Sequence, residues 1–178
     1  MPNTYPIPAF PKHIKFFHRL SVVLLIAGLV VHLYTFIPGA SALPKIWLVL
    51  LSAGIFLTFP PAVKCAKTII GGAFRQDMWK GVLAPLSRWH RMALFILFVY
   101  VIFNFLFTLL YLNRGLSTEV VMGEYVLQSK GRFVERIDAP TYQLYRAREV
   151  RGLTGHAILF QAISGALLLA GLRKRDEA

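Results

Sequence analysis

Four uninterrupted apolar blocks, at about residues 16–37, 46–63, 89–112 and 153–172, constrain this chain more than anything else in it. Each is close to the roughly 20 residues that an α-helix needs to cross the hydrocarbon layer of a bilayer. Inside lipid the backbone finds no water to bond, so such segments close their hydrogen bonds internally, as helices. Pro38 and Gly39 end the first block, Pro60 and Pro61 bend or end the second, and Gly152 precedes the fourth. The first link is too short for anything but a tight helical hairpin. The expected fold class is an all-α membrane protein: a four transmembrane helix bundle forming one integral membrane domain over residues 1–178.

Lys12, Lys15 and Arg19 precede an apolar run followed by "GASALP", which has the small-residue look of a signal cleavage site. The run is longer than a signal core, so it reads as an uncleaved anchor. The formal charge of +12 could point to nucleic acid, but the basic residues flank apolar blocks and are not interleaved with stacking aromatics. Membrane-flanking charge accounts for them, and no nucleic-acid partner is expected. With both termini inside, twelve Lys and Arg lie on the cytoplasmic side and eight outside, seven of those eight in a long segment that also carries five acids. The expectation is a bacterial inner-membrane protein with both termini cytoplasmic. The inner link "KCAKTIIGGAFRQDMWKGVLAPLSR" mixes apolar and basic residues and reads as a segment lying along the anionic leaflet.

The outer segment, about 113–152, reads as a small extracytoplasmic cap of a β-hairpin plus a helix. Tyr125 to Gln128 and Arg132 to Ile137 have strand character around Ser129-Lys130-Gly131. Asp138 before Pro140 signals a helix start, and helical spacing runs on to Arg151. Cys65 is the only cysteine, which excludes an intrachain disulfide, a CxxCH haem attachment and a thiolate zinc site. There is no GxxxxGK[ST], HExxH or GxSxG, so no enzymatic class is assigned.

The histidines carry the chemistry. His18 and His32 are fourteen residues apart, so they project from nearly the same helix face and lie about 21 Å apart along the axis. The third block opens "RWHRM" where the first opens "FFHRL", which puts His90 at the depth of His18. The fourth block runs the opposite way, and His156, near its outer end, matches His32 in depth. An inner pair (His18, His90) and an outer pair (His32, His156) result, each from two helices. Two imidazoles facing one another are what low-spin haem b needs as axial ligands. Arg19 and Arg91 beside the inner pair, and Arg148 and Arg151 above the outer one, are candidate partners for propionates. Gly28, Gly54, Gly155 and Gly165 are small enough to admit a flat ring. The bland alternative is that these are amphipathic interfacial side chains. His13, in a Pro-rich arm, reads as solvated.

This arrangement of His18, His32, His90 and His156 resembles the di-haem b-type cytochrome subunits of respiratory membrane complexes, although the fourth histidine comes from the fourth helix and Asn104 stands fourteen residues after His90. The resemblance implies two b haems and electron transfer between a quinone and a redox partner subunit. Asn104, Thr108, Gln161 and Ser164 are further polar groups inside the apolar helices; they serve either interhelical hydrogen bonding or a quinone headgroup. The competing functional class is a cofactor-free scaffold or accessory subunit that docks a partner through the cap. A transporter is disfavoured, because no block carries a mid-bilayer charge.

Overall fold

A computed structural model describes residues 12–37, 45–70 and 78–176. Residues 1–11 of the amino-terminal arm, Pro38 and Gly39, the "GASALP" stretch and the Gly71-Gly72 break lie outside the described residues. The helices are α1 (Ile14–Tyr34), α2 (Lys45–Ile69), α3 (Met78–Leu83), α4 (Arg88–Phe107) and α5 (Ala139–Asp176), with strands β1 (Leu116–Val121), β2 (Glu124–Ser129) and β3 (Arg132–Arg136) between α4 and α5. Among the described residues four helical stretches are long and apolar enough to cross a membrane: Ile14–Tyr34, Ile46–Ile69, Arg88–Leu112 and Ala139–Asp176.

The second apolar block does not stop at its prolines. α2 continues through Pro60 and Pro61 to Ile69. Each proline removes one backbone donor and disfavours the helix by about 3 kcal/mol, but the turns beyond them place Ala62 and Cys65 in a buried cluster, and that burial holds the helix on course. Nor is there a separate cap helix. The expected helix before Arg151 and the fourth block are one 38-residue helix, α5. Gly152 costs a helix about 1 kcal/mol relative to alanine, yet α5 runs through it unbroken, and no proline follows it. α5 is also the most buried of the four: 67 % of its apolar window is buried, against 17–22 % for the others.

The sheet has three antiparallel strands in the order β1-β2-β3, where the sequence suggested a hairpin of two. Both connections are two-residue loops, Met122-Gly123 and Lys130-Gly131, with positive φ at both positions (51° and 83°, 51° and 76°). This is the turn whose twist matches that of the flanking strands, and it favours Asn-Gly or Asp-Gly. With Met in the first position, the turn before β2 lacks its usual signature.

The chain falls into two compact units. The first comprises Met1–Leu25, Ala53–Leu97 and Phe160–Ala178. Its core gathers Ile14, Ala62, Cys65, Val82, Leu167 and Leu168, with Phe17, Ala66 and Leu172 packed against it. Val82 belongs to the link expected to lie on the leaflet; it and Leu86 are buried, and Arg173 donates to the Pro85 carbonyl at 2.9 Å. The second unit comprises Ile26–Ser52 and Phe98–Leu159. Here α4 ends in a wide π-turn over Thr108–Leu112. The Glu149 carboxylate on α5 accepts from the Thr118 N–H (2.6 Å) and hydroxyl (3.1 Å) on β1 and pairs with Arg146 at 2.8 Å. Tyr125 of β2 stacks on Tyr142 of α5.

Candidate functional site

In the first unit, α1 and α4 bring His18 and His90 to one cavity of about 370 Å³. α5 supplies its floor with Gln161, Ala162, Gly165 and Ala166, and leucines complete the walls. The helix faces explain the convergence. Gly165 is buried, and a Cβ there would stand 3.1 Å from Ser21 Oγ, so α1 approaches α5 where no side chain intervenes.

Hydrogen bonds orient both imidazoles. His18 Nδ1 lies 3.1 Å from the Gly165 carbonyl. A carbonyl only accepts, so the proton sits on Nδ1 and Nε2 carries the lone pair. His90 Nδ1 lies 2.6 Å from Ser87 Oγ, at the start of α4. That hydroxyl has two lone pairs and can accept both the ring N–H and the His90 backbone N–H, at 3.5 Å. A hydrogen bond that fixes one ring nitrogen is what holds a ligating histidine in the right tautomer and direction. Gln161 adds a third polar group. Its Oε1 accepts from the Thr58 hydroxyl at 2.9 Å, while its buried Nε2 has no partner. Arg19 and Arg91, each one residue past its histidine, are exposed.

The outer pair is arranged differently. His32, in the second unit, is buried and has both ring nitrogens engaged: Nδ1 is 2.9 Å from Thr154 Oγ1 and Nε2 is 2.5 Å from the Tyr100 hydroxyl. Thr154 donates its own proton to the Val150 carbonyl at 2.8 Å, so it accepts from His32 Nδ1–H, and the Tyr100 O–H donates to Nε2. A directed chain from Tyr100 through His32 and Thr154 to Val150 thus joins α4, α1 and α5. His156 faces elsewhere. Its Nδ1–H donates to the Gly152 carbonyl at 2.9 Å, its ring meets Phe105 edge-on, and it lines a second cavity whose walls do not include His32.

The outer arginines are also committed. Arg151 donates to the Thr35 hydroxyl (3.1 Å) and carbonyl (2.6 Å) and lies 3.8 Å over the Phe36 ring, and Arg148 donates to the Leu112 carbonyl at 2.9 Å. Asn104, noted from the sequence, donates to the Arg151 carbonyl at 3.3 Å. Tyr100, Thr154 and Ser87 were not singled out by sequence. A hydroxyl one or three residues from a helix start, as at Ser87, is the only one of these three signals that a single sequence offers. His13 is exposed. Among the described residues no three His, Cys, Asp or Glu side chains gather as a metal cage.

The residues present can be tested against a b-type haem. The inner set has the donor chemistry: two imidazoles line one cavity with alanine and glycine on its wall, while Arg19 and Arg91 are exposed and stand outside that lining. The outer set, as placed, does not, because Nε2 of His32 already accepts a hydrogen bond from Tyr100. The chain matches no family model, no curated protein and no solved structure.

Proposed function

We propose that this chain is an integral membrane electron-transfer subunit that holds a b-type haem between His18 and His90, passing electrons between the quinone pool and a redox partner. The observation that carries this reading is the cavity those two histidines share, with Nδ1 of each hydrogen-bonded so that Nε2 can ligate. Bound there, haem would supply a one-electron iron couple. The Gly165 carbonyl and the Ser87 hydroxyl keep the imidazoles in register, leucines line the cavity, and Arg19 and Arg91, each one residue past its histidine, are the candidate partners for propionates. Relative to the two haems suggested by the sequence, this reading asks for one; the outer pair would need Tyr100 to release His32 before it could serve. The Lys and Arg distribution supports an inner-membrane location with both termini cytoplasmic.

The test is spectroscopic. Purified protein from cells supplied with a haem precursor should show the dithionite-reduced bands of bis-imidazole haem b at about one haem per chain. His18→Ala and His90→Ala should each abolish them, and His32→Ala should not. A colourless preparation overturns the proposal.

A second reading, a cofactor-free accessory subunit docking a partner through its outer sheet, draws on a separate observation. Met122 is fully exposed, and Phe133 and Val134 on β3 are exposed as well. A colourless protein that co-purifies with a defined partner, and loses it on Phe133→Glu, would favour this reading.

A further inference from the structure

The second unit contains a cavity that the haem reading does not use. It measures about 350 Å³ and is walled by Phe105, Leu109, Leu116 and Leu153, with Thr108, Asn113 and His156 among its polar lining residues. Two of these are buried and unsatisfied: Thr108 Oγ1 and Asn113 Oδ1 have no hydrogen-bond partner, although the residues are only 5 % and 6 % exposed. Buried polar atoms in native proteins nearly always find a partner, so two orphans on one cavity point to a ligand. His156 adds a third: its Nδ1 proton is committed to Gly152, leaving the Nε2 lone pair.

The backbone explains why these groups are brought together. The π-turn bonds the Asn113 N–H to the Thr108 carbonyl at 2.9 Å, one residue wider than an α-turn, and so sets the two side chains at the start and end of one loop of backbone. Such turns inside helices are frequent at functional sites. The turn is then closed by the Arg114-Gly115 pair, at φ 50° and 73°, which sends the chain into β1. Gly152 forms the facing wall without a side chain of its own.

We propose that this cavity binds a neutral amphiphilic alcohol, such as a partial glyceride with a free hydroxyl, its head toward Thr108, Asn113 and His156 and its apolar body along Phe105, Leu109 and Leu153. The orphan groups determine the class. Asn113 Oδ1 and His156 Nε2 are acceptors, so the ligand must donate; a group bearing only carbonyl or phosphate oxygens cannot. No cation lines the cavity, and its one ionic residue, Glu149, is already paired with Arg146, so an anionic head has no counter-charge. The inference rests on the chain being in a bilayer and is independent of haem.

The experiment uses the full-length protein in phosphatidylethanolamine nanodiscs with a diacylglycerol carrying a diazirine near its head. Cross-links should map to the peptides containing Phe105, Leu109 and Leu153. The same probe with its hydroxyl acetylated should label those peptides about tenfold less, the loss of one donor–acceptor pair in an apolar site. Thr108→Val should reduce labelling while Thr108→Ser keeps it, and Gly152→Leu, which fills the cavity, should abolish it. Equal labelling by the free and acetylated probes, or cross-links spread evenly over the apolar face of α4, would overturn the proposal, as would undiminished labelling of a folded Gly152→Leu protein.

Discussion

His32 Nε2 and the Tyr100 hydroxyl lie 2.5 Å apart, with the phenol donating to the imidazole lone pair. His32 also meets the Tyr100 ring edge-on, at 5.7 Å between centroids. The contact turns a residue that reads from sequence as a metal ligand into the middle of a hydrogen-bonded chain between three helices. Tyr100→Phe removes the donor and leaves a buried acceptor. In apolar surroundings such bonds contribute about 0.6 kcal/mol on average and up to about 1.7, so the variant should unfold earlier on heating in detergent. It should leave any haem spectrum unchanged, since the proposed ligands are His18 and His90. A shifted spectrum would place haem at His32.

α5 comes close to its neighbours at Gly171, where a Cβ would meet Cys65 Sγ and Ile14 Cδ1 at 3.0 Å. Gly171→Ala should therefore cost about 1–3 kcal/mol by overpacking. Adding Cys65→Ala, which removes the sulfur, should restore part of that loss. Denaturation of the two single variants and the double variant measures the coupling, and purely additive effects would contradict the contact.

Met122 occupies a left-handed turn position with its side chain fully exposed. Met122→Asn loses no packing and suits the turn. Amide exchange across the β1–β2 pairs, Val121 with Glu124 and Val120 with Tyr125, should slow in this variant.

Asp138 caps α5. Its carboxylate accepts from the Thr141 N–H at 3.0 Å, and bonds from Thr141 hold the carboxyl below the usual range. A depressed folded-state pKa means the cap's contribution is present above the unfolded value of about 4 and is lost as pH falls through the folded one. Amides of the first turn of α5 should be less protected at acid pH than at neutrality, after correction for intrinsic exchange. Asp138→Asn, which caps without titrating, should flatten that dependence.

Long apolar runs, the start of α5 at Asp138 and the β2–β3 turn can be read from the chain because each rests on local chemistry. The depth of a histidine on its helix is likewise a matter of counting. Its azimuth is not. Whether His32 looks toward His156 or toward Tyr100 depends on how each helix is rotated against its neighbours, which no local pattern encodes. Pro60, Pro61 and Gly152 are local breakers by type, and the helices nonetheless run through them, α2 on to the buried Cys65 and α5 as one 38-residue helix. β1 was hidden because "LSTEVV" carries mixed polarity and ends in Met-Gly.

The uneven burial of the four long helices has a consequence for how this sequence can drift. α1, α2 and α4 turn most of their surface away from the protein, and on those faces one greasy residue substitutes for another with little effect. On α5, Gly155, Gly165 and Gly171 each face a neighbour that a methyl would press to 3.0–3.1 Å, so those positions favour the smallest side chains. Distant descendants of this chain would share little overall identity and still keep small residues at these positions, ten and six apart, as their mark of common origin.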